Sequence, residues 1–311
     1  MPTLTVSDED AGTRIDTFLA RHVAGWSRRK ANEAIAAGRV RLNGRRARKS
    51  QPIAAGDNVA FAEMRPALQP NPDLNLSVLY ADESLFAVDK PAGIPSVAIR
   101  ADETGTVANF LMSLDDRLAT VTNPLEAGLV HRLDTSTSGV VLAARTASSY
   151  DDLRQQFRDH TVVKEYLAIV EGDLEVGGKR RTWLAHTGKK GSKVREQPSG
   201  SAAQLAITVY RPVERFGTET LLAIQIETGV MHQIRVHMSA LGHPVVGDTL
   251  YDSRINAPRP FLHAARLEFT HPVKEERVEV SSPLAPDFEA HLAQLQKKKR
   301  RPERNSSKSR A

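Results

Sequence analysis

Apolar residues recur along the chain with two periods, and each predicts a different element. Ile15, Phe18, Leu19 and Val23 fall at helical spacing and predict a short first helix. Ser27 stands as N-cap of a second helix, SRRKANEAIAAG, with Gly38 as its stop. In VRLNGRRARKSQPIAAGDNVAF, Val40 and Leu42 alternate with arginines, and Asn43-Gly44 is a two-residue hairpin signal. Residues 13–62 thus read as two helices followed by a small sheet. EMRPALQPNPDLN holds three prolines and few large apolar residues, which predicts a linker. From Leu76 a second body begins. LSVLYADESLFAVDKPAG reads as strand, turn, strand and loop, and VVLAARTASSYDDLRQQFRDH as a strand and then a helix carrying Leu153 and Phe157. TVVKEYLAIVEG reads as a strand with Val162, Lys164, Tyr166, Ala168 and Val170 on one face. LLAIQIETG is another strand, HQIRVHMSALG a helix stopped by Gly242, and GKKGSKVREQPSG a mobile basic loop. Strands outnumber helices without strict interleaving, so the fold class is α+β with a mixed sheet.

Composition narrows this picture. The chain is 40% hydrophobic and 26% charged, as expected for a soluble globular protein. No apolar run is long enough to span a bilayer, and MPTLTVSDEDAG lacks the apolar stretch of a signal peptide, so no membrane is expected. The absence of cysteine excludes disulfides, zinc-thiolate sites, iron–sulfur clusters and a cysteine nucleophile, and fits a cytoplasmic protein.

The net charge of +6 is unevenly distributed. Residues 297–311 carry eight basic residues against one acidic, and residues 1–66 carry twelve against seven, so the body between them is acidic overall. Between residues 28 and 49 nine basic residues face Glu33 alone. Basic ends on an acidic body suggest that the ends hold a polyanion; solubilising tails are the plain alternative. The tail itself, KKKRRPERNSSKSRA, reads as charged, low-complexity and disordered.

Candidate chemistry centres on GLVHRLDTSTSGVVLAA (128–144), where the carboxylate of Asp134 interrupts a core-like run. Unpaired burial would be costly. The hydroxyls of Ser136, Thr137 and Ser138 are placed to satisfy the carboxylate, and Gly139 permits a turn. On these residues alone a structural Asp capping a turn is the leading reading. Other chemistries fit less well. There is no G-x-S-x-G elbow, and no dinucleotide fingerprint; TGKKGSK matches a phosphate loop only in composition. His131, His232, His237 and Asp134 are the candidates for a metal, but His232 and His237 are five apart on a predicted helix, hence roughly 140° apart around it. No metal site and no cofactor are expected.

HRLDTSTSG (131–139) resembles the H-R-L-D-x-x-T-S-G signature of the RluA-type pseudouridine synthases. DKPAG (89–93), KEYLAIVEG (164–172), TGVMHQIRVHMSALGHPVVGDTLY (228–251) and LHAARLEFTHP (262–272) resemble further motifs of that family in the same order. The basic two-helix-and-hairpin unit resembles an S4 RNA-binding domain. The resemblance covers roughly residues 13–285, and five ordered motifs overturn the structural reading of Asp134. It departs at Val230, where the family usually has arginine, and in GIPSVAIR, which lacks a common histidine.

The resemblance implies an S4-like domain over 1–66 and a mixed/antiparallel-sheet catalytic domain over 76–290; composition sets a linker over 67–75 between them and a basic, disordered tail over 291–311. It implies an isomerase that turns uridine in structured RNA into pseudouridine without cofactor or metal. Large-subunit ribosomal RNA is the expected partner of what reads as a monomer. A transfer-RNA synthase, or a non-catalytic RNA-binding or ribosome-assembly factor, is the alternative. Asp134 would act at the ribose–uracil junction as nucleophile or base, and Arg235 would pair with it and keep it ionised. Tyr166 would stack on the uracil and take part in proton transfer at C5. Arg132 would fill the space vacated by the everted uridine. His131 and Lys164 would contact substrate, and Arg28, Arg29, Lys30, Arg41, Arg45 and Arg46 would hold RNA phosphates. The surplus carboxylates of the acidic body are expected on the side away from the cleft.

Overall fold

The structure is a computed structural model that describes residues 1–23, 26–62, 68–187, 193–200 and 202–306, the last six of these as backbone. The chain divides into two units, Met1–Pro66 and Ala67–Ala311.

In the first unit, helices α1 (Ile15–His22) and α2 (Arg28–Ala36) pack with a four-stranded sheet of order β1-β4-β2-β3. The strands are β1 (Thr3–Thr5), β2 (Val40–Leu42), β3 (Arg45–Arg46) and β4 (Asn58–Phe61). The local signals act as read. The Ser27 side chain accepts the Lys30 N–H at the start of α2, and Gly38 follows its end with φ +71°. Asn43 and Gly44 both take positive φ between β2 and β3, the twist a two-residue hairpin needs. Ile15, Phe18, Leu19, Ala31, Ile35, Val40 and Val59 form the core.

The second unit is built on one large sheet, order β10-β9-β11-β12-β8-β13-β7-β6-β5, with β14 also paired to β13. Its strands are β5 (Val78–Ala81), β6 (Leu85–Lys90), β7 (Ser138–Ala144), β8 (Val163–Glu171), β9 (Gly178–Thr187), β10 (Lys193–Gln197), β11 (Gln204–Arg215), β12 (Glu219–Ile226), β13 (Leu262–Thr270) and β14 (Arg277–Ser281). Four helices accompany it: α3 (Val107–Leu114), α4 (Ala147–Arg158), α5 (Gln233–Ala240) and α6 (Pro286–Ser306). All strand pairs are antiparallel except β13 with β7. Strand β7 is buried throughout because both faces are covered. Val141 and Ala143 join one core cluster, and Val140, Leu142 and Ala144 join another with Leu153 of α4.

Gly139 sits at the parallel β7–β13 contact and not in a turn. Its φ is +118°, and an added Cβ would lie 2.2 Å from the Ala264 carbonyl oxygen. The glycine is required by backbone approach.

Three further expectations change. The tail is helical through Ser306, because Phe288 and Leu295 are buried against Phe261 and Ile169. Asp287 also pairs with Arg259 at 2.6 Å, and His291 with Glu219 at 2.6 Å. Residues 307–311 lie outside the described residues. Within the expected basic loop, residues 193–197 form edge strand β10, fixed by buried Val194 and by Glu196 pairing with Arg180; residues 188–192 and 201 lie outside the described residues. In the expected linker, Leu68 is buried and Asn71 and Gln69 are hydrogen-bonded to Asn109 of α3, so residues 68–75 pack on the second unit.

Candidate active site

Asp134 stands in the short loop that enters β7, and that loop is clamped from behind. Leu133 exchanges two hydrogen bonds with Ser96 Oγ, donating its N–H at 3.1 Å and accepting at 2.9 Å. The Thr135 carbonyl accepts from the Gly93 N–H at 2.7 Å and from Lys90 Nζ at 3.1 Å. Lys90 Nζ also donates to the carbonyls of Pro91 and Ile94. The DKPAG turn is therefore the seat of the loop. Burial pushes the Lys90 pKa down to about 7 against the attraction of Asp134.

The Asp134 carboxylate keeps 26% of its side-chain exposure and meets Arg235 Nη1 at 3.2 Å. Arg235 projects from α5 and is nearly buried. Its Nε and Nη2 donate to both oxygens of buried Asp248 at 2.6 and 2.8 Å. The planar guanidinium thus uses one edge for a two-pronged bond to Asp248 and turns Nη1 to Asp134. The Arg235 guanidinium carbon also lies 5.1 Å from the Tyr251 ring centre. The serine and threonine hydroxyls do not take the expected place beside the carboxylate: Ser138 Oγ is hydrogen-bonded to His263 Nδ1 at 2.9 Å.

His232 precedes α5 with φ 57°, so it lies outside the helix on which its sequence spacing from His237 was counted. Its Nε2 is 3.6 Å from Asp134 Oδ2, and its Nδ1 is 2.9 Å from the Tyr251 hydroxyl. That hydroxyl accepts the Val194 N–H at 3.0 Å. When the Tyr251 hydroxyl donates to Nδ1, the imidazole's own proton sits on Nε2, on the side of Asp134. Burial holds the His232 pKa down, against the pull of Asp134. His237 is turned away into hydrogen bonds with Thr208 and Thr182. Gln233 pins the loop before α5: its Oε1 accepts from Thr228 Oγ1 and the Val230 N–H, and its Nε2 donates to the Ile207 carbonyl.

Asp134, Arg235, Tyr166 and Arg132 line one cavity of about 310 Å³, at the small end of ligand pockets. Tyr166 comes from the buried face of β8, the face read from sequence, and is 9% exposed. Burial, and secondarily Asp134, raise its pKa, so the hydroxyl keeps its proton. Val230 and Met231 close the cavity with apolar surface and pack against Val236 and Tyr251.

The remaining expected residues lie on the walls. Arg132 is exposed and lines this cavity and two adjoining ones. Lys164 is 5% exposed and lines one of the adjoining cavities. His131 is committed to packing: its Nε2 accepts the Leu142 N–H at 3.1 Å and its ring stacks on Phe157 at 4.9 Å. Asp248, Tyr251 and His232 complete the site without having been singled out for it. Asp248 and Tyr251 ended a motif already noted, and that was their signal.

In the first unit, Arg28, Arg29, Arg41, Arg45 and Arg46 are exposed and Lys30 is partly buried. Arg28 lies 3.5 Å from buried Asp16, and Arg29 pairs with Glu33 at 3.0 Å. Arg46 donates to the Ala36 carbonyl at 2.8 Å, which ties the hairpin to the end of α2. Arg41 and Arg46 are direct cross-strand partners. Like charges so opposed repel, and a bound polyanion would relieve them.

The profile of the RNA pseudouridylate synthase family matches residues 84–240, and that of the S4 domain matches residues 13–59. The ribosomal large subunit pseudouridine synthase D of Xylella fastidiosa is 36% identical, over 94% of this chain and 91% of its own. An uncharacterized RNA pseudouridine synthase of Bacillus subtilis is 33% identical, over 94% and 98%. Among solved structures, human RNA pseudouridylate synthase domain containing 1 aligns with a TM-score of 0.54 at 25% identity, covering 74% of this chain and 98% of its own. Clamped loop, buried guanidinium and matching sequence agree: the chain belongs to the RNA pseudouridylate synthase family, isomerases that convert uridine in RNA to pseudouridine, and it carries an S4 domain.

Proposed function

We propose that this protein isomerises uridines of large-subunit ribosomal RNA, a reading supported by relatives named ribosomal large subunit pseudouridine synthase D. The Arg235 Nη1–Asp134 contact at 3.2 Å, on a guanidinium fixed by Asp248, carries the reading. Binding an RNA strand strips water from the cleft, where a charged carboxylate without a partner would be costly. A cation already oriented needs no reorganisation to prevent this.

An everted uridine enters the cavity with its ribose–uracil junction at Asp134. The N1–C1′ bond breaks, the uracil turns, and C5 bonds to C1′; C5 loses a proton and N1 gains one, so no atom is lost. Asp134 supplies the reacting carboxylate. The neutral Tyr166 ring covers the uracil face. Because its hydroxyl holds its proton, it is no resting base for C5–H; it can accept there only by passing its own proton on. Arg132, at the meeting point of the cavities, occupies the gap left in the RNA stack. Arg28, Arg29, Lys30, Arg41, Arg45 and Arg46 hold phosphates of structured RNA. Acting on ribosomal RNA, the protein would work in the cytoplasm, and the residues that line its cavity come from a single copy of the chain. Among the described residues no helix is long and apolar enough to cross a membrane.

The test offers purified protein two RNAs tritiated at uridine C5, a large-subunit ribosomal transcript and a transfer-RNA pool. Release from the ribosomal transcript at defined uridines is expected. Release from transfer RNA alone would move the substrate, and none from either would favour a binding or assembly factor.

A further inference from the structure

The cavity adjoining the uridine pocket has a chemistry of its own. Its wall is formed by Arg132, by Arg154 and Arg158 of α4, by Lys164 of β8 and by the ring of Phe157. It shares Arg132, Tyr166, Ile226 and Gly229 with the uridine pocket, so the two form one cleft. Arg154 and Arg158 are one turn apart on the same face of α4, where like charges repel.

The four cations lack carboxylate partners among the described residues. Arg154 Nη1 donates to the Val130 carbonyl at 2.8 Å, and Arg158 donates to the side-chain oxygen of Gln155. Lys164 Nζ reaches only the carbonyls of Glu227 and Thr228, both at a long 3.4 Å, and lies 5.8 Å from the Phe157 ring centre. Acidic side chains lie close in the sequence or the cleft, but none pairs with the four: Asp134 binds Arg235, and Asp151, one turn before Arg154, makes no ion pair among the described residues. Glu227 binds Lys179, Asp152 accepts from Gln156, and Asp159 accepts from Gln155. Cations gathered in a cleft without counter-charge are destabilising alone and favourable around an anion. Burial pushes the pKa of neighbouring His131 down to about 3, and the charges of Lys164 and Arg154 add to the shift.

We propose that Arg132, Arg154, Arg158 and Lys164 form a phosphodiester subsite that grips the RNA backbone beside the everted uridine. The proposal rests on the reading of the neighbouring cavity as the uridine pocket. A nucleotide swung into that pocket carries its flanking phosphates with it, and the cationic wall is where the cleft continues. Bidentate arginines suit phosphate oxygens, and Phe157 gives the sugar an apolar surface. The subsite positions the strand and takes no part in bond exchange.

The test compares full-length wild type with Arg158→Gln and the double variant Arg154→Gln/Arg158→Gln. Arg158 is exposed, so its change leaves the fold intact. Tritium release from the ribosomal transcript gives KM and kcat, and RNA affinity is followed over roughly 50–200 mM salt. KM is expected to rise about tenfold in the double variant with kcat within about twofold. The slope of log affinity on log salt should shrink by about 0.7–0.9 for each arginine removed. Arg277→Gln, whose arginine pairs with Glu268, should change neither. An active wild type with unchanged KM and slope in the variants would overturn the subsite alone. An inactive wild type whose variants still lose slope would keep the subsite and overturn the catalytic reading. Inhibition by inorganic phosphate that the variants abolish, with the RNA slope intact, would assign the cluster to a free anion and overturn the proposal.

Discussion

The surface arginines of the first unit and Arg235 of the second handle positive charge in opposite ways. In the first, arginines stand on the surface, two of them directly opposed across β2 and β3. In the second, Arg235 is nearly buried, fixed by Asp248 and aimed at one carboxylate. The exposed set can meet phosphates of many geometries, each contact weak and screened by salt. The buried guanidinium recognises one group in one orientation and keeps its strength because water is excluded. On the proposed reading, one arrangement gives affinity and the other a reactive geometry.

The contrast can be broken by substitution, beginning with the largest effect. Asp134→Asn should lower single-turnover tritium release by at least about 10³-fold, the scale seen when a reacting side chain is removed. Its melting temperature should stay close to that of wild type.

Asp248→Asn should act mainly through stability, because it leaves the Arg235 charge buried without its two-pronged partner. A loss of about 3–5 kcal/mol in denaturant unfolding is expected, with activity falling as Nη1 loses its aim. Gly139→Ala should cost at least about 1–3 kcal/mol by overpacking against the Ala264 carbonyl, again read by unfolding.

Arg41→Gln/Arg46→Gln should do the reverse. Stability should change by less than about 1 kcal/mol, the relief of cross-strand repulsion being set against the lost bonds of Arg46 to the Ala36 carbonyl and of Arg41 to the Gly44 carbonyl. The salt slope of RNA affinity should shrink by about 1.4–1.8 for two phosphate contacts, with kcat at saturating RNA unchanged.

The smallest effect is a pH dependence. Burial pushes the Lys164 pKa down to about 8, so its cation is present below that pH and lost above it. RNA affinity should fall modestly as pH rises through about 8, and Lys164→Met should remove that step. Stability should move the other way. The unfolded lysine titrates near ~10.4, so between about 8 and 10.4 the unfolded state binds the extra proton and stability rises with pH.

What the sequence made legible was local. The Ser27 cap, the Asn43-Gly44 hairpin and the buried face of β8 follow from neighbours a few positions apart, and each stands as read. The pairing of Asp134 with Arg235 came from family motifs, since a contact 101 residues apart leaves no periodic trace. The hold of Asp248 and Tyr251 on Arg235 and His232 was not legible, because it depends on the turn after α5 folding back. Strand β10 was hidden because Val194 is its single buried apolar residue, flanked by charge. The end of α6 was hidden by lysines and arginines, although Phe288, Leu292 and Leu295 kept helical spacing. Gly139 marks a turn by its sequence context, but the structure requires glycine there because the Ala264 carbonyl leaves no room for a side chain.

The central claim is that one oriented carboxylate performs the isomerisation while separate cations hold the RNA. It is tested most directly by measuring RNA affinity and tritium release together on the same preparation of Asp134→Asn. Affinity within about threefold of wild type, with release abolished on the ~10³-fold scale, is the predicted result. Release at the wild-type rate would contradict it.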